Sequence, residues 1–165
     1  MLPASPWHLI GRKPLAAKVP EIVALFWVLK VLTTGIGESS SDFLGGKSIP
    51  LAALIGTSGL VLGLWLQLRA TRYRAPVYWF AVLMVAVFGT MAADGLHKGA
   101  GIPYAVSTVM CAVAVAAIFF VWHRVEGTLD IHSITTQRRE AFYWLAVLAT
   151  FALGTAAGDL TAFTL

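Results

Sequence analysis

The sequence predicts an all-α, polytopic membrane helix bundle, with about five transmembrane helices arranged as parallel two-helix repeats. Three observations predict it. The chain has 165 residues, of which 58% are hydrophobic and only 12% charged, about half the charged fraction of a soluble domain. Its apolar residues gather in runs long enough to cross about 30 Å of hydrocarbon as helices. One pattern of aromatic, Trp, Gly and Asp recurs three times along the chain.

Composition also excludes function classes. The formal charge of +4 invites a nucleic-acid partner, but the charges punctuate apolar runs and form no basic stripe. The predicted partner is the lipid bilayer, not nucleic acid. The single cysteine, Cys111, lies in an apolar run, so no disulfide can form within the chain and a thiolate metal site is not expected. Glycine-rich phosphate loops are absent, and no cofactor is predicted. Ser39, Ser40 and Ser41 have no His within local reach and no strand–turn–helix elbow around them, so the chain is not read as an enzyme.

Residues 1–18 carry Pro3, Pro6, Pro14, Arg12, Lys13 and Lys18 and read as a loosely ordered cytoplasmic leader. The apolar run that follows is placed like a secretory signal. It is too long for one, contains Lys30, and lacks a small-residue cleavage pattern. It is therefore expected to be a retained first span. Spans are predicted over 21–43, 51–68, 76–95, 103–123 and 141–162. Helix is the expected form because it satisfies its own backbone groups in lipid. Pro20, Pro50, Pro76 and Pro103 stand at or just before span starts, where a missing N–H costs least.

Basic residues set the orientation. Arg12, Lys13, Lys18, Arg69, Arg72, Arg74, Arg124, Arg138 and Arg139 fall on one side of these spans, against Lys47 and Lys98 on the other. The positive-inside rule then places the N-terminus in the cytoplasm and the C-terminus outside. Trp27, Trp65, Trp79, Trp122 and Trp144 all come near inner span ends and are expected to form a cytoplasmic belt of interfacial anchors.

The recurring pattern is "FWVLKVLTTGIGESSSD", "YWFAVLMVAVFGTMAAD" and "YWLAVLATFALGTAAGD", beginning at Phe26, Tyr78 and Tyr143. In each, an aromatic precedes Trp, a glycine follows (Gly37, Gly89, Gly154), and an aspartate closes the segment (Asp42, Asp94, Asp159). Ile49-Pro50 and Ile102-Pro103 follow the first two copies, each leading into a second span. The transmembrane domain, 19–165, thus divides into repeat one over 19–75, repeat two over 76–140, and half of repeat three over 141–165.

These repeats, with the stretches "KVPE", "FWVLKVLTTGIGE", "IHSITTQRREAFYWLA" and "FALGTAAGDL", resemble a bacterial membrane-protein family built from a tandem repeat of unknown function. Each repeat of that family has two transmembrane segments and a Trp. The resemblance covers nearly all of residues 18–165 and implies a multi-pass protein of the bacterial inner membrane, typically with four repeats and eight spans. This chain looks like a shortened member, which leaves a second copy or another subunit to complete the bundle.

Residues four apart share a helix face, so Lys30, Thr34, Glu38 and Asp42 make one polar row in span one. Thr90 and Asp94 occupy the places of Glu38 and Asp42 in span three, and Thr155 and Asp159 do so in span five. The three parallel helices should bring three Asp, one Glu and several hydroxyls around one cavity, with Glu38 about 6 Å deeper than Asp42. An intramembrane carboxylate is expensive and by default functional, which singles out Glu38. The aspartates equally suit a structural role at helix ends. Hard oxygens suit Mg²⁺, Ca²⁺, Mn²⁺ or protons. His97, three residues past Asp94, could extend a metal set of Glu38, Asp42 and Asp94. Lys30 is read as the counter-ion of Glu38, either in a structural pair or in a gate opened by an incoming cation. Gly154-x-x-x-Gly158 and Gly59-x-x-x-Gly63 predict close helix packing. The functional expectation is a transporter or exporter of small cations, divalent metal or proton-coupled. The alternative is a non-transporting scaffold or stress-linked membrane protein.

Overall fold

A computed structural model describes residues 18–164. The predicted leader, apart from Lys18, lies outside the described residues. Five long helices form the bundle: α1 (Ala24–Lys47), α2 (Ile49–Arg69), α3 (Ala75–Asp94), α4 (Tyr104–Glu126) and α5 (Gln137–Thr164). A π-helical turn (Gly95–Gly99) extends α3, and a 3₁₀ turn (Ile131–Ser133) precedes α5. No strand occurs among the described residues. The all-helical fold and its five helices are those the sequence predicts.

Local chemistry sets the helix ends. Pro50 and Pro76 sit in the first turns of α2 and α3, where proline's fixed φ is already helical. Pro103 is the residue before α4. Gly127 ends α4 with φ +71° and donates its N–H to the His123 carbonyl at 2.8 Å, a left-handed cap that glycine adopts without a Cβ penalty. The helix α5 starts at Gln137, earlier than the expected 141. Thr136 explains this: its hydroxyl accepts the Arg139 N–H at 3.3 Å and its carbonyl accepts the Glu140 N–H at 3.0 Å. The charged run Arg138-Arg139-Glu140 is therefore the first turn of a helix, not the end of a loop.

Among the described residues, four helices are long and apolar enough to cross a membrane: Ile49–Arg69, Ala75–Gly99, Tyr104–Glu126 and Gln137–Phe163. The remaining helix, α1, has comparable length, but Lys30, Glu38 and Asp42 interrupt its apolar surface. The protein is a membrane-spanning helical bundle.

At the centre lies α3, packed against α1, α2 and α5, while α4 packs along α5. Tyr78, Ala81, Val82, Val85 and Ala86 of α3 form the main core with Leu60, Trp144 and Phe151. Phe26 meets Trp79 and Gly37 meets Ala86, so α1 and α3 run parallel. Tyr78 bonds Tyr143 and Thr90 bonds Thr155, so α3 and α5 also run parallel. The even helices run antiparallel to the odd helix that follows: Gly56 faces Met91 and Gly63 faces Ala81, while Trp122 stacks on Phe142 and Tyr104 on Phe163.

Glycines permit the closest approaches. A Cβ at Gly37 would lie 2.5 Å from the Ala86 Cβ, and one at Gly89 would lie 2.8 Å from the Phe151 Cβ. Gly59 and Gly63 likewise lie against Met84 and Ala81, as the small-residue pattern predicts. Gly154 and Gly158 do not: nothing lies within 4 Å of a Cβ at either, because both border open space between the odd helices. Their expected packing role is corrected accordingly.

Candidate functional site: a polar cleft between the odd helices

The residues that the repeat brings to matched positions meet in space. Tyr78 and Tyr143 share a hydrogen bond of 2.6 Å, and Thr90 and Thr155 one of 3.3 Å. Each pair is separated by 65 residues. The fold thus places the same register position of two successive repeats side by side.

Above the tyrosines, α1, α3 and α5 enclose a cleft of about 420 Å³ lined by Lys30, Thr34, Glu38, Thr90, Phe151 and Thr155, with Thr150, Gly154 and Gly158 completing its wall. Five polar residues singled out by the sequence therefore share one cleft. Thr34 turns its hydroxyl back to the Lys30 carbonyl at 2.7 Å, which leaves the methyl toward its surroundings. Glu38 is exposed and makes no hydrogen bond or ion pair with another described residue.

Lys30 is not paired with Glu38. Its Nζ lies 3.8 Å from the centroid of the Phe151 ring, a cation–π contact that a desolvated ammonium favours. The expected Lys30–Glu38 counter-ion pair is thus corrected. The two residues are two turns apart on α1, and the facing aromatic of α5 lies nearer to the ammonium.

The three repeat aspartates lie at the opposite end of the bundle from Lys18. Asp94 pairs with Lys98 at 3.0 Å. Lys98 also interacts electrostatically with Asp42 and Asp159, and Asp159 with Asp94 and Asp42. One exposed lysine therefore pairs with Asp94 and carries its charge into the neighbourhood of the other two acids. Asp42, Asp94 and Asp159 are not among the residues lining the cleft, so the single cavity expected to hold all the acids is corrected to a cleft with an acidic rim.

The expected metal set is also corrected. Among the described residues, no three His, Cys, Asp or Glu side chains gather closely enough to hold a metal ion. Glu38 and Asp42 are exposed on α1, Asp94 is engaged by Lys98, and His97 places Nδ1 2.6 Å from the Ile102 carbonyl while stacking on Tyr104. The π-turn after Asp94 turns the imidazole toward its own loop.

The tryptophans divide. Trp27 and Trp65 are exposed, as anchors in lipid should be, and Arg69 lies over the Trp65 ring at 4.4 Å. Trp79 is half-buried against Phe26. Trp122 and Trp144 are enclosed by protein, so their expected anchoring role is corrected. Trp122 stacks between Phe119 and Phe142, and Trp144 packs on Tyr78. The α4–α5 pair and the docked loop residue Ile134 cover Trp122.

Sequence reasoning missed one buried polar cluster. Lys18 Nζ lies 2.6 Å from Glu140 Oε2, and both side chains are 1% exposed. Gln67 donates to Glu140 Oε1 at 3.2 Å, and Lys18 reaches the Leu68 carbonyl at 3.4 Å. Residues 122 positions apart thus tie the segment before α1 to the ends of α2 and α5. Both Lys18 and Glu140 lie in stretches that carry the family resemblance, which is the signal that could have found them. Beside them, Glu126 accepts from Arg138 and, at 2.7 Å, from Arg139, while Arg139 also reaches the Ser133 carbonyl at 2.9 Å. The connector between α4 and α5 is therefore a docked segment.

Comparison with known proteins locates the repeat. Residues 77–128 match the model of a family described as a Repeat of Unknown Function (DUF347). That span covers nearly all of α3 and the whole of α4 with the turn between. No curated protein and no solved structure matches the chain. With the repeat matched over its second helix pair and its odd helices meeting at equivalent positions, the chain is a membrane-spanning helical protein whose residues 77–128 are similar to the DUF347 repeat.

Proposed function

We propose that the cleft between α1, α3 and α5 is a pathway for small cations, with Glu38 as its working carboxylate. The observation that carries this reading is the gathering of Lys30, Thr34, Glu38, Thr90 and Thr155 around one cleft within an otherwise apolar bundle. Polar groups at membrane depth are costly unless paired or hydrated, and they mark ion and proton routes. The donor set suits protons or weakly held monovalent ions better than a divalent metal, which needs several gathered oxygens. The acidic rim of Asp42, Asp94 and Asp159 would concentrate cations at the mouth. Lys30, held over Phe151, is a resident positive charge that an entering cation must displace or neutralise. The positive-inside distribution and the resemblance to a bacterial family support an inner membrane, with the N-terminus in the cytoplasm.

The test is flux in proteoliposomes over H⁺, Na⁺, Mg²⁺, Mn²⁺ and Zn²⁺, comparing the wild-type protein with Glu38→Gln. Flux that falls at least about tenfold in the variant, a loss of about 1.4 kcal/mol in barrier terms, places Glu38 on the route. Wild-type protein that is folded and inserted but passes none of these ions overturns the reading. The non-transporting scaffold then takes its place.

A further inference from the structure

Successive odd helices meet through one repeated contact. Gly37 of α1 faces Ala86 of α3, and Gly89 of α3 faces Phe151 of α5. Each time, the glycine meets the residue three positions before the next helix's own glycine. The third glycine of the set, Gly154, meets nothing within 4 Å. The corresponding residue that faces no glycine is Thr34 of α1. Both border the cleft, but the space between them keeps them from touching. Among the described residues, the packing rule therefore leaves two complementary faces unused, a glycine face on α5 and a Thr34 face on α1.

A second observation points to the same occupant. Thr90 of α3 bonds Thr155 of α5. By the repeat register, the next pair in the series is Thr155 with Glu38 of a following α1. Glu38 is exposed and lacks a partner among the described residues. A carboxylate left against hydrocarbon is expensive. The Thr155 hydroxyl can accept from Thr90 and donate to such a carboxylate.

We propose that a second copy of this chain docks on α5, its α1 setting Thr34 against Gly154 and Glu38 beside Thr155. Two-fold symmetry repeats the contact in reverse and leaves neither face unused, so the assembly closes as a dimer. Close approach at Gly154 gives the packing on which helix association in lipid depends. The inference is independent of transport, because the interface forms whether or not the cleft conducts.

Cysteine cross-linking between copies tests it. In a Cys111→Ser background, chains with Gly154→Cys and differently tagged chains with Thr34→Cys are reconstituted together and oxidised. A disulfide requires Cα atoms within about 7 Å, so the expected product is a covalent dimer carrying both tags. Thr155→Cys with Glu38→Cys reports the same interface nearby and should link as well. Gly45→Cys, where a Cβ also meets nothing within 4 Å, replaces Gly154→Cys as the control and should not link to Thr34→Cys. Linkage by neither pair above that control overturns the proposal. So does a single chain bearing Gly154→Cys and Thr34→Cys that closes on itself as a monomer, because its own α1 and α5 would then already use both faces.

Discussion

Two charged residues of this chain behave in opposite ways, and burial is the reason. Glu140 has its carboxylate enclosed with Lys18 and Gln67, whereas Glu38 stands on an exposed helix face. Removing one member of a buried pair strands the other without solvent, which typically costs about 3–5 kcal/mol. Lys18→Met and Glu140→Leu are therefore each expected to lower the thermal unfolding midpoint markedly in detergent. The double variant should recover much of the loss, since it leaves no uncompensated charge. A double variant as unstable as the sum of the two would contradict the pairing. Lys30 gives a second prediction at this scale. Phe151→Leu removes the ring under its ammonium as well as core packing, and in a Lys30→Met background its cost should be smaller by the cation–π share of about 0.5–2 kcal/mol.

Helix against helix, the glycines decide the spacing. Gly37→Ala would place a methyl 2.5 Å from the Ala86 Cβ and push α1 from α3, an overpacking cost of about 1–3 kcal/mol. Restoring the room with Ala86→Gly should return most of that stability, which a double-mutant cycle on thermal midpoints measures. Gly45→Ala meets nothing and should be neutral or slightly stabilising, because alanine loses less backbone freedom in a helix by about 0.5–1 kcal/mol. Equal changes at Gly37 and Gly45 would mean that the contact with Ala86 does not set the effect.

For the whole molecule, the charged ends differ in kind. One end holds Lys18, Glu140, Glu126 and the arginines that bond Glu126. The other holds the three aspartates around Lys98. The basic end is expected in the cytoplasm. In cells carrying the Cys111→Ser background, a membrane-impermeant maleimide applied from outside should label Gly101→Cys, in the turn before α4. Thr71→Cys, between α2 and α3, should be labelled only after the membrane is opened. The reverse pattern would invert the predicted topology.

The helices, their order and the repeated register were legible in the sequence because apolar run length and recurring residues are local properties. Pro50, Pro76 and Pro103 marked helix starts for the same reason. The register also foretold that Thr90 and Thr155 occupy equivalent places, and the fold set them in contact. Side-chain surroundings were not legible. Whether Trp122 meets lipid or Phe142, whether Lys30 meets Glu38 or Phe151, and whether Glu140 meets water or Lys18 depend on which distant helix packs alongside. A chain of apolar helices fixes its own spans through hydrocarbon length and backbone hydrogen bonding. Only the packed bundle decides which polar groups are paired, because residues far apart in sequence must first be brought within hydrogen-bonding distance.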